Sequence, residues 1–477
     1  MPKSKLALVI LLALLAPATS LRSQQPAATH SRASDTPLDR YVAAPDPSFT
    51  WSVSKTLPAG DGATATLIDL TSQRWLEQEV EQPLWKHWLV VVTPAKVTSD
   101  IGLLFIGGGR NDRNPPTAPT PWQVDAARDT GTVVAELRMV PNQPIVFTND
   151  PAKKPRTEDD FIAYTWNQFL QTGDPRWPAR LPMTKSAVRA MDALTAFSAS
   201  AAGGGHQVNR FVVSGASKRG WTSWVTAAVD TRVIAIAPAV IDLLNVEPSF
   251  EHHFRAYGRY SDAVEDYVRQ GVMDWIGTPR FRALMKIEEP FEYRDRLTMP
   301  KLLINSAGDQ FFLPDSSQFY FDKLRGESHL RYVPNTDHSL GKSDALETLS
   351  AFYASIVGAR PRPDFTWTFE KDGAIKVVSK VRPETVTLWQ AANPEARDFR
   401  LETIGPVYRS TALTPSGPNT WVGRVPAPAK GWTAFFVELT FASGSRYPLK
   451  MTTAGRGLPE TMPYPAPARI AKPTSGR

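Results

Sequence analysis

Hydrophobic and polar positions follow two different patterns along this chain, and the pattern changes near residue 360. Up to that point, short apolar runs alternate with segments whose apolar residues recur every three or four positions, as in the predicted helix 182–200. This alternation is typical of a mostly parallel β-sheet covered by helices. The predicted strands are 87–92, 101–105, 132–137, 210–213, 233–237, 301–305 and 330–333. We therefore expect one large α/β domain over residues 39–360.

Two later segments depart from this alternation. Residues 247–299 separate two predicted strands and are rich in helical and aromatic residues. They predict a helical cap over the carboxyl edge of the sheet, with ordinary surface helices as the alternative. Beyond 360–364, short alternating segments separated by Pro, Gly and Asn predict an antiparallel β-sandwich over 365–450, with 400–404 as one strand. The Pro-rich tail, 458–477, is predicted to be extended or disordered.

The amino-terminal residues are typical of an export signal. Lys3 and Lys5 precede an apolar run over 6–15, and small residues follow up to Ser20, so residues 1–20 are predicted to be a secretory signal peptide. A membrane anchor is the alternative, but the run is about half the length that spans a bilayer. Residues 21–38 are predicted to be a flexible lead-in. We expect an exported protein, periplasmic or secreted, with no stable membrane insertion after cleavage.

Composition excludes several classes of function. The 477 residues are 42% hydrophobic and 21% charged, as in ordinary globular proteins. The net charge of +7 becomes +5 without Lys3 and Lys5, and the basic residues are scattered, which argues against a nucleic-acid partner. The absence of cysteine excludes disulfides and thiolate chemistry. The seven histidines show no metal-ligand spacing, so we expect neither metal nor organic cofactor.

The sequence RFVVSGASKRGW, residues 210–221, runs from a predicted strand into a glycine-bracketed serine. Such a strand-to-helix turn presents a serine as a nucleophile when a base lies beside it. Gly215 and Gly220 would supply the turn, although the usual second glycine position is occupied by Arg219. Ser217 is the predicted nucleophile, and a helix N-cap in a structural loop is the alternative.

An acid and a histidine follow the serine in the chain order that this kind of turn requires. Asp309 lies 92 residues after Ser217, where a predicted strand ends, and Asp242 and Asp315 are the competing acids. His338 follows the next predicted strand, 29 residues after Asp309. The other histidines precede their strand or violate the order. We therefore predict His338 as the general base and Asp309 as the group that orients it.

A glycine run follows the predicted strand 101–105 and predicts a site for a developing oxyanion. The amide of Gly108 or Gly109, together with that of Lys218, would point at the oxyanion. A phosphate cradle is the competing interpretation, but the chain lacks the motif of phosphate-binding loops. Lys218, Arg219 and Arg110 are predicted to contact the substrate, with solvent exposure of Lys218 and Arg219 as the alternative.

These motifs resemble those of a known family. The segments IGGGRN, VSGASKRGW, INSAGDQFF and PNTDHSL, with the start PLDRYVAAPDPSFTW, are similar to the PhoPQ-activated pathogenicity-related protein family. The resemblance covers roughly 41–441 and implies an exported α/β-hydrolase fold with a C-terminal β-domain and a triad of Ser217, Asp309 and His338. That family is similar to a secreted proliferation repressor for which signalling and peptidase activity have been considered. The serine turn also resembles that of glucuronoyl esterases, in which a cationic residue directly follows the nucleophilic serine, as Lys218 follows Ser217 here.

The sequence therefore predicts an exported serine hydrolase, first a carboxylesterase acting on small-molecule or carbohydrate-linked esters. A dipeptidyl-peptidase-like activity on peptides is an alternative, and acids of the predicted cap such as Glu247, Glu251 or Glu265 would then bind the substrate's amino terminus. A non-catalytic secreted binding or signalling protein is a further alternative. The tryptophans of the predicted sandwich fit either its core or a sugar-binding surface, and they are Trp367, Trp389, Trp421 and Trp432.

Overall fold

The structure is a computed structural model that describes residues 35–468. The predicted signal peptide, most of the lead-in and residues 469–477 of the predicted tail lie outside the described residues. The helices are α1 Pro37–Ala43, α2 Pro121–Thr130, α3 Glu158–Thr172, α4 Arg180–Ala199, α5 Lys218–Val229, α6 Val246–Tyr257, α7 Glu265–Arg269, α8 Pro279–Glu288, α9 Ala345–Val357 and α10 Leu401–Ile404.

The strands of the described part fall into a large sheet and a small one. They are β1 Thr50–Gly60, β2 Ala63–Arg74, β3 Leu84–Thr93, β4 Ile101–Ile106, β5 Val134–Leu137, β6 Arg210–Ala216, β7 Val233–Ala239, β8 Lys301–Ser306, β9 Ser328–Val333, β10 Phe365–Phe369, β11 Ile375–Ser379, β12 Thr385–Asn393, β13 Arg409–Ala412, β14 Thr420–Gly423, β15 Trp432–Phe441, β16 Leu449–Thr452 and β17 Arg456–Leu458.

The large sheet runs in the order β1-β2-β3-β5-β4-β6-β7-β8-β9-β16-β15-β12-β13, with β17 paired to β15. Strands β4 to β9 run parallel to one another, whereas β3 joins β5 and β16 joins β9 in antiparallel fashion. The inversion of β4 and β5, with the serine turn following the central strand β6, is the α/β-hydrolase topology. The predicted fold class is confirmed.

Burial on both faces of the sheet explains why the central strands appear in the sequence as continuous apolar runs. Every residue of β8 is buried, and all of β4 but Phe105. Strands of a parallel sheet covered on both sides show this continuous pattern. The buried residues of α3, α4 and α5 belong to the core on one face, and those of α2 and α9 to the core on the other. Because β4 to β9 run parallel to one another, their carboxyl ends meet at one edge of the sheet.

The C-terminal β region is an antiparallel sandwich that continues the main sheet. Strand β16 pairs with β9 through Thr452 and Leu330, so β16, β15, β12 and β13 extend the large sheet. The sheet β10-β11-β14 packs across them around a shared apolar core that includes Ile375, Leu388 and Phe435. Trp421 belongs to this core, and Trp367, Trp389 and Trp432 are partly buried against core residues. The four tryptophans therefore contribute to packing.

The prediction of a strand over 400–404 was wrong, because this segment contains the short helix α10. Its first amide, that of Leu401, donates to Gly308 O, and the amide of Ile404 donates to Arg400 O. Strands β1 and β2 were not predicted. Strand β1 is largely exposed, with Trp51 as its one buried residue, so it lacks the continuous apolar run that marks the central strands. No helix in the described range 35–468 is long and apolar enough to cross a membrane.

Candidate active site

Strand β6 ends in a sharp turn that holds Ser217 in an unusual backbone conformation. Its φ is +59° and its ψ −128°, which is a strained combination for a residue with a side chain. The Ser217 amide donates to Ala239 O at 2.8 Å, and its side chain makes no capping hydrogen bond to α5. A Cβ on Gly215 would lie 2.7 Å from Arg219 O. The turn thus requires glycine there, and the alternative role of Ser217 as an N-cap is unsupported.

Asp309 and His338 meet at the carboxyl ends of the adjacent strands β8 and β9. His338 Nδ1 lies 2.8 and 3.0 Å from the two carboxylate oxygens of Asp309, which is buried. Gln310 accepts the backbone amide of His338 at 2.9 Å. A carboxylate only accepts, so Nδ1 donates and the neutral ring has its lone pair on Nε2. Within residues 35–468, Nε2 is buried and has no hydrogen-bond partner.

Asp315, a competing acid in the sequence, takes part in a different cluster. One of its oxygens lies 3.0 Å from His252 Nε2 on α6, and the other accepts a hydrogen bond from Arg397. Burial alone would raise the pKa of Asp315, but His252 and Arg397 together hold it well below its usual range. This cluster joins the segment predicted as a cap to the C-terminal sandwich.

Asp242, the other competing acid, is buried beneath the sheet edge. It accepts hydrogen bonds from the hydroxyl groups of Tyr320 and Tyr332, the latter at 2.6 Å. Burial raises the pKa of Asp242 to about 7, although both tyrosines oppose this. Of the three acids, Asp309 is the one that contacts His338.

We expect Asp242 to make stability fall as pH rises from about 4 to about 7. The unfolded chain releases this proton near pH 4, whereas the folded protein retains it until about 7. The folded state thus binds more protons in this window, and the free energy of unfolding decreases with pH. Urea denaturation at several pH values should show this slope in the wild type and a reduced slope in Asp242→Asn. Parallel profiles of the two proteins would contradict the assignment.

The glycine run after β4 lies beside the serine turn, because β4 and β6 are neighbours in the sheet. Gly108 O accepts from Met139 N at 2.8 Å, which fixes the loop. In the described part of the chain, the amides of Gly108, Gly109 and Lys218 donate no backbone hydrogen bond. Three backbone amides without a backbone acceptor therefore lie at the sheet edge that carries Ser217.

Lys218 and Arg219 do not face solvent, since both pair with acids at the start of α3. Lys218 Nζ lies 2.9 Å from Glu158 and 3.1 Å from Asp159. Arg219 holds Glu158 with two nitrogens, at 2.8 and 2.5 Å, and donates Nε–H to Val140 O at 2.6 Å. Burial alone would raise the pKa of Glu158, but the two cations hold it well below its usual range. Neither cation offers an unpaired charge to a ligand.

The two acids of α3 were missed in the sequence, although a signal exists. Two consecutive cations beside a buried turn require counter-charges, because an uncompensated buried charge is strongly destabilising. The run Glu158-Asp159-Asp160 opens helix α3, upstream of the serine turn in the chain, and its first two acids supply those charges.

Arg180 and Glu288 form a second buried pair that sequence reasoning missed. Arg180 Nε lies 3.2 Å from Glu288, and both side chains are essentially inaccessible to solvent. The guanidinium also donates to Lys218 O and to Thr222 Oγ1. Glu288 ends α8, so the pair connects the segment predicted as a cap to the residue that follows Ser217.

Other predicted contact residues lie elsewhere. Arg110 pairs with Asp112 through two nitrogens, at 2.9 and 2.7 Å, and is partly exposed. Glu247 and Glu251 of α6 line a separate cavity, and Glu265 is exposed on α7. None of these four predicted residues lines the cavity that contains Ser217.

Ser217 opens into a cavity of about 490 Å³, including its open mouth. Its aromatic walls are Trp166, Trp221, Phe250, Tyr267, Phe311 and Phe312, and its aliphatic walls are Ile241, Leu243 and Val264. The rings of Phe311 and Phe312 also lie 4.3 and 6.0 Å from the His338 ring, between centroids. The cavity walls therefore connect the serine to the histidine. Among the described residues, no group of three or more acids or histidines is arranged to hold a metal ion.

Comparisons with known proteins agree with the motifs. Residues 38–400 match the family described as PhoPQ-activated pathogenicity-related protein. The autocrine proliferation repressor protein A of Dictyostelium discoideum is 38% identical over 466 residues, which cover 90% of this chain and 92% of that protein. An acetyl xylan esterase from Paenibacillus sp. R4 matches 69% of this chain and 96% of its own, at 14% identity and a TM-score of 0.47. A glucuronoyl esterase from Solibacter usitatus matches 68% and 90%, at 14% identity and a TM-score of 0.38.

Proposed function

The chain belongs to the PhoPQ-activated pathogenicity-related protein family, and from this premise and its geometry we propose that it is an exported serine carboxylesterase. Ser217 is the nucleophile, His338 the general base and Asp309 the group that orients the histidine. The observation that carries the proposal is the His338–Asp309 contact, which leaves Nε2 as the basic nitrogen at the edge that carries the strained serine. Small esters, including carbohydrate-linked ones, are the substrate class.

The proposed reaction has two half-reactions that use the same groups. Ser217 Oγ attacks the ester carbonyl carbon while its proton passes to His338 Nε2, which gives a tetrahedral oxyanion. The carbon–oxygen bond to the alcohol then breaks, and the alcohol leaves with the proton from Nε2. Water attacks the acyl-serine in the same way, and the products are the carboxylic acid and free Ser217. Asp309 stabilises the imidazolium in both halves.

The oxyanion would be bound by backbone donors. The amides of Lys218 and of Gly108 or Gly109 meet this need, since they are unused by the backbone and lie at the ends of neighbouring strands. Such preorganised donors supply a large part of the rate enhancement in acyl transfer.

Arg219 is positioned to fix this oxyanion site. A Cβ on Gly108 would lie 2.7 Å from an Arg219 nitrogen, so the guanidinium packs directly against the glycine loop. We expect Arg219→Ala to lower kcat for a nitrophenyl ester about 100-fold with little change in KM, because small displacements of catalytic groups carry such costs. Arg219→Lys should restore little, since lysine cannot form the forked contact with Glu158.

The matched control for Arg219→Ala is Arg210→Ala. Arg210 begins β6, at the end of that strand opposite the serine turn, and makes a two-nitrogen contact with Asp100. Its removal should leave kcat within twofold of the wild type. A loss in Arg219→Ala that appears in KM alone would show that Arg219 acts on ground-state binding instead.

The peptidase alternative is less well supported than the esterase. A substrate's amino terminus needs an unpaired carboxylate near the nucleophile, and the carboxylate that lines the Ser217 cavity is Asp159. Asp159 is already bound by Lys218 and by the Tyr267 hydroxyl at 3.0 Å. Cleavage of aminoacyl nitroanilides in preference to nitrophenyl esters would reverse this order.

The test is labelling of the purified mature protein with a fluorophosphonate, which reacts with activated serines. We expect labelling of the wild type and none of Ser217→Ala, and His338→Ala should label at least about 1,000-fold more slowly. Circular dichroism and thermal unfolding of each variant establish that it is folded. A folded wild type that is not labelled would favour the non-catalytic binding or signalling protein.

A further inference from the structure

We infer that the cavity beside Ser217 is the acyl-binding subsite, and that it selects compact, uncharged, apolar acyl groups the size of one ring or a short branched chain. The inference rests on the proposed function, because an acyl group enters the cavity only as part of an ester that Ser217 attacks. It adds the chemical class of the acid, which the triad geometry leaves open.

Most of the cavity wall is made of aromatic and aliphatic side chains that pack against one another. Trp166 and Trp221 stack with 6.0 Å between ring centroids, and Tyr267 meets Trp166 edge-on at 5.4 Å. The Trp221 indole N–H is satisfied inside the protein by Leu243 O at 2.9 Å. The rings therefore present apolar surface to the cavity, and burial of an acyl group against that surface is favourable.

Charged groups are present at the inner end, but each is paired with the protein. Lys218 lies between Glu158 and Asp159, and Asp159 also accepts from Tyr267. Arg180 is bound to Glu288 and to Lys218 O. A carboxylate or ammonium on the acyl group would lose its water without gaining an unpaired partner. Acyl groups with a second charge should therefore be rejected.

The cavity is also short. Its volume of about 490 Å³ counts the open mouth, whereas the space inside that a water-sized molecule can occupy is only about 40 Å³, well below that of the sites that bury whole drug-sized ligands. Arg180 and Trp166, whose side chains are buried in the protein core, line the inner end of the cavity. A single ring or branched chain would therefore lie against the aromatic walls with part of it in the mouth, whereas a long chain would have to extend out through the mouth.

The test is a series of 4-nitrophenyl esters that differ in the acid. We expect kcat/KM for isobutyrate, cyclopentanecarboxylate and benzoate to exceed that for acetate by about 10-fold or more, since added apolar contact is worth that much in a fitted pocket. Octanoate and hemisuccinate should fall below acetate. Highest activity on acetate, on octanoate or on the hemisuccinate would overturn the inference, and the esterase would stand if the fluorophosphonate labels Ser217.

A variant that fills the cavity links this preference to its walls. Leu243→Phe should lower the ratio of benzoate to acetate activity at least about 10-fold, and fluorophosphonate labelling reports whether the variant remains folded and reactive. The matched control is Val268→Phe on the exposed face of α7, 37% accessible and outside the cavity, which should leave the ratio unchanged. An unchanged ratio in Leu243→Phe places the acyl group elsewhere.

Binding to Ser217→Ala tests the subsite without hydrolysis. Saturation-transfer NMR should detect benzamide and cyclopentanecarboxamide but not succinamate, and Leu243→Phe in the same background should abolish both signals. This result would support the subsite even if the wild type were not labelled, in which case the esterase alone would fail. Binding of succinamate, or of neither amide, would overturn the subsite.

Discussion

Asp309→Asn should lower kcat for ester hydrolysis by about 10,000-fold while the protein remains folded. The change removes the charge that stabilises the imidazolium and offers an amide N–H to His338 Nδ1, which favours the tautomer with its proton on Nε2. Because Nδ1 lies 2.8 Å from the carboxylate and Asp309 is buried, water cannot easily replace the lost contact. Initial rates on a nitrophenyl ester and thermal unfolding together give both quantities.

The matched control for Asp309→Asn is Asp242→Asn, the same substitution at the acid that follows the preceding strand β7. Asp242 contacts Tyr320 and Tyr332 and not His338, so its variant should retain at least about half of the wild-type kcat. Equal losses in the two variants would indicate that the effect comes from general disruption of the sheet edge. A loss confined to Asp242→Asn would exchange the roles of the two acids.

Much of this site could be predicted from the sequence, because its residues come directly after the ends of predicted strands. Parallel strands buried on both faces appear as apolar runs, so the residues directly after them can be placed at one edge. Asp309 and His338 were selected in this way, and the structure brings them into contact. The assignment of catalytic roles to them, and to Ser217, remains a prediction until labelling is done.

The charge network around the serine turn was not accessible in the same way. Arg219 and Glu158 are 61 residues apart, and Arg180 and Glu288 are 108 apart. Such pairs depend on how helices pack over the sheet, and a single sequence carries no periodic signal for that. The same limit explains the segment 400–404, whose alternation predicted a strand but whose amides bind Gly308 and the preceding residues.

This network gives a physical reason for the departure from the usual serine turn. Arginine at position 219, where the usual turn has glycine, lies against Gly108 of the glycine loop and binds Glu158 and Val140 O. One side chain thus connects the serine turn, the glycine loop and α3. In our proposal, rigidity of the oxyanion site comes from this arginine.

Replacement of Glu288 by Gln should lower the free energy of unfolding by about 3–5 kcal/mol, because it leaves the Arg180 charge buried without its partner. Arg180 and Glu288 are 1% and 0% exposed, respectively. Urea denaturation at neutral pH measures this loss. Glu292→Gln, an exposed position four residues later, is the matched control and should change stability by less than about 0.5 kcal/mol.

The same variant should also impair the serine turn. Arg180 donates to Lys218 O and Thr222 Oγ1, so a guanidinium that moves toward water in Glu288→Gln withdraws support from the residue whose amide we assign to the oxyanion. Under conditions where the variant is fully folded, kcat should therefore fall more than KM rises. A stability loss with unchanged kcat would restrict the pair to holding α8 in place, because the oxyanion donor would then be positioned without Arg180.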